Sequence, residues 1–287
     1  MSLNSVNTNM GAMVALQSLN TTQQQLATTQ KRISTGYRVA DATDDGAAYA
    51  IAQGVRSTVG ALTSANQQLG GMQGLLNVTQ SSLNNISNTM ASMRTLLVKL
   101  ADANVQGNDR KKYAQQYADY TTNVKQFILD ASYNGKTLIG NITGHTGTFG
   151  DAGVTQNEVG SQYTIKTFGG SVFYNAITNT ALLSHTTSTA LGSIAGLLGS
   201  AGTFMTQMDA ISTKLNGIGS AINYVNNQVT YNNDKIDALN SGLGALIDAD
   251  LAKESAQLTA LQIRQQLGTQ ALSLANQAPQ TLLSLFK

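Results

Sequence analysis

Large apolar residues recur every seven positions through an early part of the chain. A second apolar set lies three residues after four of these positions, at Met72, Ile86, Met93 and Leu100. This spacing is typical of a coiled-coil seam and predicts one long helix over residues 47–103. The residues of the seven-residue series are Val55, Leu62, Leu69, Leu76, Leu83, Met90 and Leu97.

A second seam follows a rhythm of four and three residues further along the chain. Asn232 alone interrupts it. One polar residue in an apolar seam commonly fixes the register of a helix pair, and a ligand-binding role is the alternative. The spacing predicts a second long helix, whose apolar residues are Phe204, Met208, Ile211, Leu215, Ile218, Ile222, Val225, Val229, Ile236, Leu239, Leu243 and Leu246. A shorter helix is predicted around residues 113–127.

The two ends of the chain carry apolar residues on more than one side. Near the start, Leu19, Leu26 and Ile33 keep a seven-residue spacing. Near the end, a helical rotation of 100° per residue gathers two sets on opposite sides. A helix that is apolar on two sides must bury both, which implies contacts with other subunits. The first set is Leu243, Ile247, Leu251, Leu258, Leu261 and Leu272, and the second is Ile263, Leu267 and Leu274.

The segment between the long helices differs in composition. Residues 137–208 are rich in glycine and carry only Asp151, Glu158 and Lys166 as charged residues. Residues 163–168 and 171–174 are predicted to be paired strands joined by a glycine turn, and Asn134 and Gly135 predict another tight turn. The expected fold is mainly α: a long antiparallel coiled-coil helical rod, an out-and-back hairpin, with a small β-containing insert.

Composition narrows the function further. Only 11% of the 287 residues are charged, the net charge is +2 and cysteine is absent. These values exclude a disulfide framework and a cysteine nucleophile, and they disfavour nucleic acid or an anionic membrane as a partner. Residues 1–30 and 265–286 carry no charged side chain. Neither end has a membrane-spanning run or a secretory signal pattern, so we expect any export to proceed without a cleaved signal peptide.

Candidate chemical sites are few. His145 and His185 are predicted to be loop residues. Residues 41–46 partly match a calcium-binding loop, but Ala52 stands where that loop needs a glutamate. A turn that caps the following helix through Asp44 or Asp45 explains the same residues better. The acidic residues Asp248, Asp250 and Glu254 are predicted to pair on a helix surface. We therefore expect no enzyme activity, no cofactor and no metal site.

Several motifs near both ends resemble those of bacterial flagellins. Arg-Ile-Ser-Thr-Gly-Tyr-Arg at 32–38 matches the start of the flagellin signature, which continues at 42–47 and 50–52. The final match, Ala-Asn-Gln-Ala-Pro-Gln-Thr-Leu-Leu-Ser-Leu at 275–285, is closer still. Residues 5–9, 248–250 and 265–269 also match. The short insert resembles that of alphaproteobacterial flagellins.

The resemblance implies an extracellular subunit of the bacterial flagellar filament, which polymerises with copies of itself for swimming motility. It implies type III export, a chaperone bound at the C-terminal helix, and contacts with the flagellar cap and hook–filament junction proteins. A hook–filament junction protein and an exported helical adhesin are the alternatives. An enzyme in the insert would need a metal or nucleophile constellation, which the two histidines do not provide.

The resemblance also implies a division of the chain into five segments. Residues 1–40 and 248–287 form the two halves of an inner core domain, and 41–140 and 201–247 form the two halves of a helical rod domain. Residues 141–200 form a variable outer insert. The expected packing residues between subunits are Leu19, Leu26, Ile33, Ile263, Leu267, Leu274, Leu283 and Leu285.

Many flagellins are recognised by Toll-like receptor 5 through an arginine, a leucine and a glutamate on the outer helices. Alignment with that surface places Ser92, Leu96 and Gln116 at these three positions. Only the leucine matches, so the resemblance implies a degenerate receptor surface and weak activation.

Overall fold

The protein is mainly helical in a computed structural model that describes residues 9–178, 189–200 and 202–285. The helices are α1 (Met10–Thr35), α2 (Gly46–Ala101), α3 (Gly107–Asp130), α4 (Gly170–Ile177), α5 (Thr189–Leu198), α6 (Thr203–Ile247) and α7 (Leu251–Leu285). The strands are short: β1 (Lys136–Thr137), β2 (Thr148–Phe149), β3 (Ala152–Thr155) and β4 (Gln162–Ile165). The predicted class, a mainly helical chain with a small β-containing insert, is confirmed.

The chain forms two compact units. The terminal unit comprises Met1–Val59 and Asp237–Lys287, and the central unit comprises Gly60–Ile236. Helices α2 and α6 each contribute residues to both units. In the described part of the chain, no helix is long and apolar enough to cross a membrane.

The core of the central unit is built on the two predicted seams. Side-chain amides register α2 against α6: Asn66 Nδ2 donates to Asn233 Oδ1 at 2.8 Å, and Gln73 Nε2 donates to Asn226 Oδ1 at 2.7 Å. A step of seven residues forward in α2 thus matches seven residues backward in α6, so the pair is antiparallel. The seam residues of this unit with at most 6% exposure are Leu62, Leu69, Leu76, Leu83, Ile86, Met90, Met93, Leu97, Leu100, Phe204, Ile211, Ile218, Val225 and Asn232.

Asn232 is fully buried in this seam, and its amide is paired within the chain. Its Nδ2 donates to Asn66 Oδ1 at 2.8 Å and to the Gln156 carbonyl at 3.0 Å, and its Oδ1 accepts from Gln228 Nε2 at 3.0 Å. Because a buried amide is costly unless it is paired, these bonds favour one alignment of α2, α6 and the loop that holds Gln156. This arrangement agrees with the predicted register role.

Helices α3 and α4 and the strands β3 and β4 pack onto the same core. Strands β3 and β4 are antiparallel, whereas β1 and β2 are parallel. The tight turn predicted at Asn134 and Gly135 is present, because both residues have positive φ, 50° and 74°, and Tyr133 pairs with Lys136 across it. Two positive φ angles in succession are typical of a type I′ turn.

The prediction of a strand at 171–174 is wrong. These residues lie in helix α4, and β4 pairs instead with β3. Gly170, Phe173 and Ile177 are the buried residues of α4, and their spacing of three and four residues places them on one side of a helix. Four residues are too few for the sequence to distinguish a period of two from a period of 3.6.

The terminal unit is built on α1 packed along α7. Asn9 caps α1, because its Oδ1 accepts from Ala12 N at 3.1 Å, and its Nδ2 donates to the Ala275 carbonyl at 2.7 Å. Helix α1 ends at Gly36, whose φ is 74°. A second small core of this unit contains Val39, Ala48, Ala52 and Ile247.

Candidate assembly surface

A polar junction joins α1 to the turn before α2. Lys31 Nζ lies 2.7 Å from Asp41 Oδ2 and 2.8 Å from Asp44 Oδ2, and Asp44 Oδ2 also accepts from Ala40 N at 3.0 Å. Hydrogen bonding to the Lys31 ammonium lowers the pKa of Asp41 and of Asp44, and hydrogen bonding to the two carboxylates raises the pKa of Lys31. These two carboxylates therefore stabilise the turn between α1 and α2.

The same turn starts helix α2. Asp45 Oδ1 accepts from Ala47 N at 3.1 Å and from Ala48 N at 3.0 Å, which is an N-terminal cap. Within the described residues, no group of three or more His, Cys, Asp or Glu side chains is placed to hold a metal ion. The arrangement agrees with the capping interpretation of residues 41–46.

The three acidic residues near the start of α7 have separate structural roles. Glu254 Oε1 lies 3.1 Å from Arg32 Nη1 and pairs α7 with α1, while Asp250 Oδ1 caps α7 by accepting from Ala252 N and Lys253 N. Asp248 pairs through its backbone with Tyr37. Glu254 is only 7% exposed and the Arg32 side chain is 32% exposed, so this partly buried ion pair joins two helices rather than lying on the surface of one.

An apolar row lies on the solvent-facing side of α1. Met10, Met13, Val14 and Leu16 are exposed by 59%, 62%, 63% and 48%, and together they line one shallow depression. We call these four residues the α1 stripe. These residues are not among the packing residues predicted from the sequence. The spacing of Met10, Met13 and Val14 was the available signal, and the stronger seven-residue series obscured it.

A matching apolar row lies on α7. Ile263, Leu267 and Leu274 are exposed by 53%, 59% and 70%. We call these three residues the α7 stripe. On the opposite side of α7, Leu261 is buried and Leu258 and Leu272 are half-buried, whereas Leu251 at the start of the helix is 50% exposed. The helical rotation of 100° per residue predicts this separation of the two apolar sets on opposite sides of the helix.

The remaining predicted packing residues lie in different surroundings. Leu19, Leu26 and Ile33 are half-buried. The Cδ1 atom of Leu19 lies only 3.4 Å from where a Cβ on Gly268 would be, so Leu19 packs directly on α7. Thr22 and Thr29, each three residues after one of these leucines, are fully buried on the same side of α1. The side chains of Leu283 and Leu285 lie outside the described residues.

The other candidate residues do not form a chemical site with these stripes. His145 Nδ1 accepts from Gly147 N at 2.9 Å within its own turn, and His185 lies outside the described residues. Ser92 and Gln116 are exposed on α2 and α3, whereas Leu96 is 4% exposed and belongs to the core of the central unit. The fold and this surface define a class: a helical structural protein whose exposed apolar helix faces suit packing against other chains.

Comparison with known proteins gives the family. Residues 6–143 match the bacterial flagellin N-terminal helical region, and residues 198–286 match the bacterial flagellin C-terminal helical region. The chain belongs to the bacterial flagellin family. It is 32% identical to flagellin FljM of Caulobacter vibrioides, with 100% of both chains covered, and 30% identical to a flagellin of Brucella melitensis, with 99% of both covered.

A solved structure shares the fold. The structure described as a flagellar hook-associated protein of Vibrio parahaemolyticus matches with a TM-score of 0.59 at 13% identity, covering 71% of this chain and 100% of that one. Family membership gives the function: the protein is a structural subunit that polymerises in the extracellular flagellar filament and serves motility. The alternatives raised from the sequence are not better supported.

Proposed function

We propose that this flagellin polymerises by burying the α1 stripe and the α7 stripe against neighbouring copies. One observation carries the proposal: seven large apolar side chains are about half exposed or more on two helices whose other sides already pack on each other. A single subunit leaves this apolar surface in water, and a lattice of subunits removes it from water.

The energetics favour this mode of assembly. Fully burying a large apolar side chain contributes about 1.5–3 kcal/mol, so covering these partly exposed residues contributes about 1–2 kcal/mol each. Residues 1–30 and 265–286 carry no charged side chain. Close packing of these segments therefore incurs no penalty for desolvating an unpaired charge, a penalty that a filament would repeat at every subunit.

We propose different roles for the predicted packing residues. Leu19, Leu26 and Ile33 stabilise the α1–α7 pair within a subunit and present only their remaining exposed edges to neighbours. Ile263, Leu267 and Leu274 pack between subunits. Leu283 and Leu285 extend that contact toward the end of α7. The five-segment layout with an inner core at 1–40 and 248–287 is consistent with these roles.

Family membership supports several further partners. We propose export through the flagellar type III apparatus without a cleaved signal peptide, with a chaperone that covers the C-terminal helix before assembly. Such a chaperone would shield the α7 stripe, which otherwise presents three large apolar side chains to water. Polymerisation then proceeds beneath a cap, from a base of hook–filament junction proteins.

The experiment is seeded polymerisation of the Leu267→Gln/Leu274→Gln double variant. Both side chains are exposed by more than half, so the substitutions leave the monomer fold and its melting temperature nearly unchanged. We expect the pelleted filament to fall at least about tenfold, because each glutamine removes about 1–2 kcal/mol of burial from every subunit contact.

Gln262→Ala is the matched control, since Gln262 is an exposed polar residue of the same helix. We expect it to polymerise as the unaltered chain does. Filament yield from the double variant equal to that of the control would contradict the proposed packing. If the unaltered protein never sediments with a filament seed, that result would instead support the alternative of a monomeric adhesin.

A further inference from the structure

Met10 and Met13 are the most exposed methionines in the described part of the protein. The chain has eight methionines and no cysteine. Met10 and Met13 are 59% and 62% exposed, whereas Met72, Met90 and Met93 are 7%, 0% and 0% exposed. Met205 and Met208 are half-buried. An oxidant dissolved in water therefore reaches Met10 and Met13 first among these seven residues.

Both thioethers belong to the α1 stripe. Met13 is followed directly by Val14, and Leu16 completes the same shallow depression. A flexible thioether suits such a contact, because it adapts its shape to an apolar partner. The residues that meet the oxidant in the free subunit are thus the same ones that the proposed packing removes from water.

We propose that Met10 and Met13 are a reversible oxidation site that controls whether a free subunit can polymerise. The inference rests on the proposed packing of the α1 stripe. The co-reactant is a peroxide. The thioether sulfur attacks one peroxide oxygen, an S–O bond forms and the O–O bond breaks. The sulfur loses two electrons to become a sulfoxide, and hydrogen peroxide is reduced to one water molecule.

The modification changes the character of the stripe. A sulfoxide is polar and chiral, whereas the thioether is apolar. In the free subunit water solvates the new oxygen, so the fold of the monomer is unaffected. Packing against another copy would remove that water and leave a buried acceptor among apolar side chains. Oxidised subunits therefore stay in solution, and enzymatic reduction of the sulfoxide restores them.

The first test measures oxidation residue by residue in the full chain. Free subunits and seeded filaments are treated with hydrogen peroxide, and each methionine is followed by peptide mass spectrometry. In free subunits we expect Met10 and Met13 to oxidise at least about tenfold faster than Met90 and Met93, because only the first pair is exposed. In filaments we expect the two pairs to oxidise at similarly slow rates.

The second test measures polymerisation after oxidation. We expect peroxide-treated subunits to show a critical concentration raised about tenfold, and methionine sulfoxide reductase to restore the starting value. The Met10→Leu/Met13→Leu variant, compared with its own untreated sample, loses this sensitivity to peroxide. The Met205→Leu/Met208→Leu variant, altered at half-buried positions of the central unit, keeps it.

The outcomes separate this inference from the proposed packing. Normal polymerisation of subunits oxidised at Met10 and Met13 overturns the inference, as does sensitivity that persists in the Met10→Leu/Met13→Leu variant. If that variant does not polymerise even without peroxide, the deciding measurement is reductase treatment of the oxidised unaltered chain. Failure of the reductase to restore polymerisation would then overturn the inference. Rapid oxidation of Met10 within filaments would contradict burial of the α1 stripe, and with it the proposed packing.

Discussion

Gly74 allows the loop that follows α3 to pack closely on helix α2. A Cβ atom at this position would lie 2.6 Å from Cζ of Tyr133, so the ring of Tyr133 occupies the space above the glycine. Gly70, one turn earlier in the same helix, has nothing within 4 Å of its corresponding position. The two glycines thus have the same helical conformation and different surroundings.

This difference gives a matched pair of substitutions. We expect Gly70→Ala to raise the free energy of unfolding by about 1 kcal/mol, because alanine favours a helix interior over glycine. Gly74→Ala forces the partly exposed Tyr133 ring to move, so its free energy of unfolding should be about 1 kcal/mol lower than that of Gly70→Ala. Urea denaturation monitored by circular dichroism measures both. Equal stabilisation by the two substitutions would mean that Tyr133 does not need the glycine.

Lys31 makes the junction between α1 and the turn before α2 dependent on pH. It lowers the pKa of Asp41 and of Asp44, so their contribution to stability is present above their ordinary pKa of 3.8 and is lost as pH falls through the lower folded values. The pKa of Lys31 is raised, so its contribution is present below its ordinary value of 10.5 and is lost as pH rises through the higher folded value. The junction is therefore complete between these two ordinary values.

We expect Lys31→Met to flatten the acid side of this profile. Hydrogen exchange of α1 amides, measured from neutral pH down to below the ordinary aspartate pKa, should show less loss of protection with acid than the unaltered chain does. Lys112→Met is the control, since Lys112 pairs with Asp109 at an exposed site on α3. An unchanged acid profile for Lys31→Met would contradict the role of the junction.

At the scale of elements, long helices were far easier to predict than short strands. The helix predicted at 47–103 begins at Gly46 and ends at Ala101, because many repeats of one period reinforce each other. Strand β3 went unrecognised, since Ala152–Thr155 is four residues long with a glycine inside it. Helix α4 was assigned as a strand for the same lack of length.

The candidate surface was predicted in part, for a related reason. On α7 a rotation of 100° per residue separates the covered residues Leu258, Leu261 and Leu272 from the α7 stripe. Leu251, which the same rotation places with the covered residues, is 50% exposed. On α1 a period cannot say which side faces the partner helix, because that choice depends on tertiary packing. In the structure, contacts such as that of Leu19 with the Gly268 position and that of Asn9 with Ala275 fix the side of α1 that faces α7.

Deletion of residues 265–287 tests the contribution of helix α7 as a whole. The deletion removes Gly268 and Ala275, which contact α1, together with Leu267 and Leu274 of the α7 stripe. The core of the central unit lies within Gly60–Ile236 and stays intact. We expect a soluble folded monomer with an unchanged melting transition for the central unit and no polymerisation. Normal filaments from the truncated chain would contradict the account.

At the scale of the whole molecule, the low content of charged residues has a location. Charge is absent from 1–30 and 265–286, and the described parts of these segments lie in α1 and α7, which carry the two exposed stripes. A subunit designed to remain monomeric would place charged side chains there. The composition thus suits a chain that packs against copies of itself.

The three positions that correspond to the Toll-like receptor 5 surface predict how the free subunit is recognised. Ser92 and Gln116 are exposed but uncharged, and Leu96 is buried in the central core at 4% exposure. None of the three offers a charged or an accessible apolar anchor to a receptor. We expect the pure monomer to give little or no signal in receptor reporter cells. Potent signalling by the monomer would contradict this prediction.

Electron microscopy of the filament shows whether neighbouring copies cover the two stripes. A helical reconstruction of filaments grown from the purified chain would give the solvent exposure of the α1 stripe and the α7 stripe in the assembled state. We expect neighbouring copies to cover Met10, Met13 and Val14 on α1 and the three residues of the α7 stripe. A filament in which both stripes keep the exposure that they have in the single subunit would contradict this expectation.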